Sequence, residues 1–191
     1  MRNLETARLW LRPFTEADYP AVYAISSDPE TTRYLFYWAH PGVTPEQDAR
    51  RFLRRAIDGF AENPVRCREY ALVRKADGAV IGDGSIELLD AETAEIGWIL
   101  LPAYRGQGYA REMGEELVRR GFETLGVKRV IAHCDARNAP SYHLMERLGM
   151  RLERLEKEAR PAKTPGGTKG DECTYALDRA QWEEKQNGIH S

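Results

Sequence analysis

The chain has 191 residues, with 28 Lys and Arg against 30 Asp and Glu, for a formal net charge of −2. A composition 42% hydrophobic and 30% charged, at this length, excludes a disordered chain and suits one globular unit with its own core. The charge balance argues against a polyanion such as nucleic acid as the main partner.

The longest apolar run is only a few residues, so no transmembrane helix is expected. Residues 1–8 contain no apolar signal-peptide core. Cys67, Cys134 and Cys173 are odd in number and widely spaced, which points to reduced thiols and a cytoplasmic protein.

The elements follow in chain order. Residues 7–12 alternate apolar and polar, as a strand with one buried face does, and Pro13 ends the run. Thr15 with Glu16 and Asp18 starts a helix, which Asp28-Pro29 breaks after Ser27. Residues 34–38 are dense in aromatics and lead into a Pro/Gly loop. Pro45 opens a helix to about Ala61 that carries Arg50, Arg51, Arg54 and Arg55. A solvated basic face is the simpler reading of those four, and an anion site is the other. Residues 70–73 and 80–88 flank the turn Ala76-Asp77-Gly78 as a hairpin, and residues 93–100 form a further strand. From Ala110, small and apolar residues recur at offsets of 0, 3, 4, 7, 8, 11, 12 and 15, a helical stripe that ends at Gly126. A strand at 128–134, a helix at 138–147 and strands at 150–158 and 173–177 complete the chain. An antiparallel meander followed by strand–helix–strand–helix predicts a mixed α/β sheet covered by helices.

Candidate chemistry concentrates at residues 100–110, where a strand, a glycine-bearing loop and a long helix meet. Glycine lets the backbone approach a ligand closely. The first amides of a helix are unpaired and sit at the positive end of its dipole. Together these suit a phosphate or pyrophosphate. The P-loop's Gly-Lys-Ser/Thr is missing, and the dinucleotide fingerprint fails because position 111 is arginine. Arg105-Gly106-Gln107-Gly108-Tyr109-Ala110 satisfies a third pattern, Arg/Gln-x-x-Gly-x-Gly/Ala, in full. For the hexapeptide alone, a turn that binds nothing is the plain alternative.

That third pattern is the coenzyme A pyrophosphate loop of the GNAT acetyltransferase superfamily, which the chain resembles over nearly its full length. Within it, the chain is similar to the Rim-type ribosomal-protein N-acetyltransferases. Residues 5–13, with Asp18 in the following helix, resemble that branch's first strand. Ala94-Glu95-Ile96-Gly97-Trp98 resembles its strand before the loop. Asn138-Ala139-Pro140-Ser141 with Leu148-Gly149-Met150 resembles its next helix, and residues 171–177 with Trp182 its last strand and tail. The resemblance implies a single N-acetyltransferase domain spanning the chain. It also implies a mixed, mostly antiparallel twisted sheet of about seven strands, flanked by about four helices and splayed centrally to bind acetyl-CoA.

The resemblance implies roles as well. Backbone groups of Trp98, Ile99 and Leu100 would pair with the pantetheine arm. Amides from Arg105, Gly106, Gln107, Gly108, Tyr109 and Ala110 would hold the pyrophosphate. Asn138 would reach the arm, or cap its helix, or both. Arg147 would meet the adenosine phosphate, or stay solvated. The amine would attack the thioester directly. It must lose a proton, the carbonyl oxygen needs a donor, and the leaving thiolate needs a proton. The tyrosine that many GNAT enzymes use for the thiolate corresponds to Met145, which donates nothing. Ser141 is the replacement, ahead of Tyr142. Glu95, Glu87 and Asp83 are the candidate bases, each otherwise an exposed strand carboxylate. Glu30, Tyr34, Phe36, Tyr37 and Trp38 would line the acceptor pocket, or the aromatics would complete the core. His40, His133, His143 and His190 lack ligand spacing, so no metal is expected, and His133 and Cys134 should point to opposite faces.

The resulting reading is acetyl transfer from acetyl-CoA to a primary amine, on a protein N-terminus or a small molecule. It needs no membrane or nucleic acid, and suits a monomer or homodimer. A non-catalytic acyl-CoA sensor and a transferase of another acyl group are the alternatives. The charge is locally uneven. Residues 76–104 hold six acids and no Lys or Arg, whereas residues 105–151 hold nine basic residues and six acids. A cationic acceptor and an anionic coenzyme would each meet a favourable field.

Overall fold

The computed structural model describes residues 3–35, 42–61, 67–162 and 168–188. Eight strands form one sheet: β1 (Leu4–Glu5), β2 (Leu9–Pro13), β3 (Cys67–Arg74), β4 (Val80–Leu88), β5 (Thr93–Leu100), β6 (Arg129–Asp135), β7 (Arg151–Arg160) and β8 (Gly170–Asp178). Six helices accompany them: α1 (Tyr19–Ser27), α2 (Pro29–Thr32), α3 (Pro45–Ala61), α4 (Tyr109–Arg119), α5 (Ala139–Leu148) and α6 (Arg179–Gly188). The strand order is β1-β2-β3-β4-β5-β6-β8-β7, and every pairing is antiparallel except β5 with β6.

The mixed sheet is the expected class, with one strand and two helices more than expected. The two-residue β1, the four-residue α2 and the terminal α6 account for the difference. The first helix also begins as a 3-10 turn, Glu16–Asp18. There the Asp18 carboxylate accepts from the Thr15 amide at 2.8 Å and from both arms of the Arg12 guanidinium at 2.7 Å. Burial would raise the Asp18 pKa, but the Arg12 fork and the Thr15 amide outweigh it and hold the carboxyl below its ordinary range.

Strand alternation divides the core into two layers. Ala71 and Val73 on β3 pack with Val22, Ile25, Phe52 and Leu53 of α1 and α3. Tyr70 and Leu72 face the other way, into the cluster holding Met113, Leu117 and Leu148 of α4 and α5. Each fully buried Leu or Ile contributes about 1.5–3 kcal/mol. Helix α4 lies close on β4, because a Cβ at Gly84 would overlap Met113 Sδ. Its last turn, Arg120–Leu125, widens to a π-turn and closes at Gly126 with φ +73°. Arg179 braces that turn by donating to the carbonyl oxygens of Phe122 and Val127. No described helix is long and apolar enough to cross a membrane.

Candidate active site

The sheet opens at its centre. β5 and β6 pair only where Thr93, Ala94 and Glu95 face Arg129, Val130 and Ile131. Beyond that point β5 stays with β4 and β6 stays with β8, so the two strands part. The Leu101 amide donates to the Ile81 carbonyl at 3.0 Å. By the alternation of an antiparallel ladder, Ile99 then faces β4, while the backbone groups of Trp98 and Leu100 face the opening.

The loop after β5 extends this wall. Gly106 and Gly108 have φ of +73° and +82°, the left-handed region that glycine tolerates. Gly108 is the N-cap of α4 and has no side chain to satisfy its first amides. Among the described residues, the amides of 106–108 find no backbone acceptor, and those of 109–111 are the free donors of the first turn. Arg8 braces the loop from 99 residues away, donating to Gln107 O at 3.0 Å and to Glu112 at 2.6 Å. Its guanidinium lies 4.5 Å from the centre of the Tyr109 ring. Arg105 turns its guanidinium away from the loop, to Glu30 at 2.6 Å, Thr31 Oγ1 at 2.7 Å and Leu100 O at 3.1 Å.

A cavity of about 720 Å³ spans the opening. Carboxylates line one side of it. Ala71 pairs with Asp83, Glu69 with Ser85, and Glu87 with Glu95, so Glu69, Asp83, Glu87 and Glu95 share one sheet face. Asp83 is 3% exposed and its Oδ2 has no hydrogen-bond partner. Burial, reinforced by Glu69, pushes its pKa well above the carboxylate range, with the Ile99 amide opposing. Burial also raises the pKa of Glu95. His133 opposes that shift, and Glu87 and Glu172 add to it. His133 Nε2 is 3.9 Å from Glu95, and its Nδ1 is 3.0 Å from Thr174 Oγ1. Arg160 is 2.9 Å from Glu172.

The far side of the cavity carries Asn138, Ser141 and Cys134. Asn138 accepts the Ser141 amide at 3.0 Å through its backbone oxygen, and its side chain makes no capping bond. The Ser141 hydroxyl contacts the Cys134 thiol, which burial pushes up to about 12. His133 thus meets β8 and β5 while Cys134 meets α5, on opposite faces.

Tyr34, Asp83, Glu87, Glu95, Trp98 and Ile99 all line this cavity, as do Asn138 and Ser141. Glu30 does not, because its carboxylate is 74% exposed and tied to Arg105. Arg147 is exposed in the last turn of α5, away from the cavity wall. Tyr142 packs on the His143 ring, and Met145 is buried at 1% exposure. Phe36, Tyr37, Trp38, His40 and His190 lie outside the described residues. Sequence reasoning passed over His133 as a chemical group, and also Glu69, Arg160, Glu172 and Thr174. The period-two pattern of each strand was readable, but the register that brings the strands together was not. Of the six acids in residues 76–104, three reach the cavity. Asp77 pairs with Arg74, Asp90 accepts the Glu92 and Thr93 amides, and Glu92 pairs with Lys128.

A family profile described as "Acetyltransferase (GNAT) domain" matches residues 8–151. The chain belongs to the GNAT acetyltransferase family. It is 31% identical over 181 residues to the uncharacterized N-acetyltransferase YnaD of Bacillus subtilis (strain 168), covering 94% of this chain and 99% of that one. A GNAT-family acetyltransferase from Bacillus anthracis superposes with a TM-score of 0.77 at 29% identity, covering 93% of this chain and 98% of that one. The fold is shared with spermidine N-acetyltransferase from Vibrio cholerae, solved with CoA and spermine. That match has a TM-score of 0.74 at 17% identity and covers 93% of this chain and 99% of that one. The protein is therefore an acyltransferase, and the GNAT fold uses acetyl-CoA.

Proposed function

We propose that this GNAT enzyme moves an acetyl group from acetyl-CoA to a primary amine held against Glu95 and Glu87. The observation that carries the proposal is the central opening, whose cavity is lined by Glu87 and Glu95 and adjoins the strand that leads into the free amides of 106–111. The residues present fit the coenzyme. The loop amides of 106–110 suit its pyrophosphate. Trp98 offers its backbone groups, and Leu100 its amide, to an amide-bearing arm, and the Asn138 side chain is not spent on capping. Acetyl-CoA supplies a thioester carbonyl that an amine can attack.

Glu95 takes the proton that the incoming ammonium must lose. Burial raises its pKa and so strengthens it as a base, while His133 at 3.9 Å favours its charged form. Burial disfavours the charged form of Asp83, which sets it aside as the base. The Leu100 amide donates to the oxygen as it gains charge. Ser141 donates to the leaving sulfur, a role Met145 cannot fill. The Cys134 thiol, pushed up to about 12, is a poor nucleophile, which favours direct transfer over an acyl-cysteine. All three cysteines are free thiols, which supports a cytoplasmic setting.

The test is thiol release from acetyl-CoA across a panel of primary amines and N-terminal peptides. The expected result is amine-dependent release with a stoichiometric acetylated product. Tight coenzyme binding without release from any amine would contradict it.

A further inference from the structure

We infer that the acceptor is a peptide N-terminus with an acidic residue a few positions along, and that the arginines of α3 hold that acid. The inference rests on the amine-transfer reading above and names the substrate class for that site. A second cavity of about 800 Å³ adjoins the first and shares Arg55, Cys67, Glu69 and Glu87 with it. Its α3 wall carries Arg50, Arg51, Arg54 and Arg55 against one acid, Asp58. Arg51 pairs with Asp48, Arg50 lies 4.8 Å from the Tyr19 ring centre, and Arg55 is 3.8 Å from Glu69. Arg54 is exposed and has no partner among the described residues. The four-residue spacing sets Arg50 against Arg54 and Arg51 against Arg55, like-charge pairs that oppose the helix, and Asp48 and Glu69 offset the second pair.

The reaction cavity has less free negative charge than its carboxylates suggest. Glu172 is matched by Arg160, Glu69 faces Arg55, and burial disfavours the charged form of Asp83. Glu87 and Glu95 are left to meet a cation. That suits one ammonium. A polyamine's further cations would run onto the arginines of α3.

Spacing selects the rest of the acceptor. β3, β4 and β5 are successive neighbours, so Glu69 on β3 and Glu95 on β5 stand on the order of 10 Å apart at about 4.8 Å per strand. Helix α3 packs over β3 and β2, with Arg55 3.8 Å from Glu69, so its arginines stand at the β3 end of this span. A free α-amino acid is too short to put its amine at Glu95 and its carboxylate at Arg54. An extended peptide advances about 3.4 Å per residue and reaches that distance at roughly its third or fourth residue.

The test measures coenzyme thiol release with four acceptors: a hexapeptide with Asp at positions three and four, the same peptide with Lys there, free aspartate, and spermidine. The acidic peptide should lead the lysine peptide by about tenfold in kcat/KM. Arg54→Glu should reverse that preference through KM, with kcat unchanged. Arg54 is exposed, so the substitution leaves the core intact, and Arg50→Glu repeats the test one turn away. Equal use of the two peptides, spermidine ahead of both, or an equal loss for both in Arg54→Glu would overturn the inference alone. Absence of release from every amine would overturn the amine-transfer reading along with it.

Discussion

The two walls of the opening are built by different means. The proposed coenzyme wall is backbone, drawn from the contiguous residues 98–110. The proposed amine wall is side chains from β3, β4, β5, β6 and β8, brought together by strand register. A backbone wall tolerates side-chain change but not a change of φ. A side-chain wall has the opposite sensitivity. Substitutions on the first wall should therefore move coenzyme affinity, and those on the second should move turnover or stability.

The largest effect is expected at Gly108. Its φ of +82° costs a β-branched residue roughly 1–2 kcal/mol, and its Cβ would stand 3.3 Å from the Arg8 guanidinium. With the amide array also displaced, Gly108→Val should weaken coenzyme binding by about 100-fold in calorimetry and lower the melting temperature by about 2–8 °C. Retained affinity would break the contrast between the walls.

Ser141→Ala comes next. Its kcat should fall about tenfold at unchanged coenzyme affinity, less than a typical general-acid loss because water fills the gap. Steady-state kinetics would remove Ser141 from the mechanism if kcat held.

Asp83→Asn tests the amine wall through stability. In the unfolded chain Asp83 ionises near pH 4, while in the folded protein burial keeps it protonated to well above that. Between those two values the unfolded state binds fewer protons, so Asp83 subtracts stability as pH rises. The variant should melt several degrees higher than the wild type at pH 8, and the gap should close toward pH 4. A gap independent of pH would show that Asp83 ionises normally.

The smallest effect belongs to Arg105, which ties the loop to α2 through Glu30 and Thr31. These are partly exposed contacts worth under about 1 kcal/mol. Arg105→Ala should raise KM for both substrates by two- to threefold, and a change in only one would break that link.

The same contrast explains what the sequence revealed. Helix α3 begins at Pro45 and ends at Ala61 as its pattern predicts, because caps and periodicity are local signals. The hexapeptide was legible because its chemistry lies in consecutive amides. Arg8 and Thr6 belong to the N-terminal stretch whose likeness was noted, but their work, holding Glu112 beside the loop, is a long-range contact. Glu30 sits in the expected segment yet turns to Arg105, because an exposed carboxylate is drawn to the nearest cation. His133 read only as a failed metal ligand, since Glu95 and Thr174 join it through pairing with two other strands. The basic face of α3 looked solvated until the fold set it beside the carboxylates.

Glu95 is the proposed base inside the opening, and the pH dependence of kcat tests that role most directly. In the wild type, kcat should rise with pH through an ionisation above the ordinary glutamate range, because the carboxylate must be charged to accept the proton. Glu95→Gln should lose that limb and at least roughly 100-fold in kcat while binding coenzyme as before. An unchanged profile in Glu95→Gln, with kcat within a factor of about three, would contradict the account.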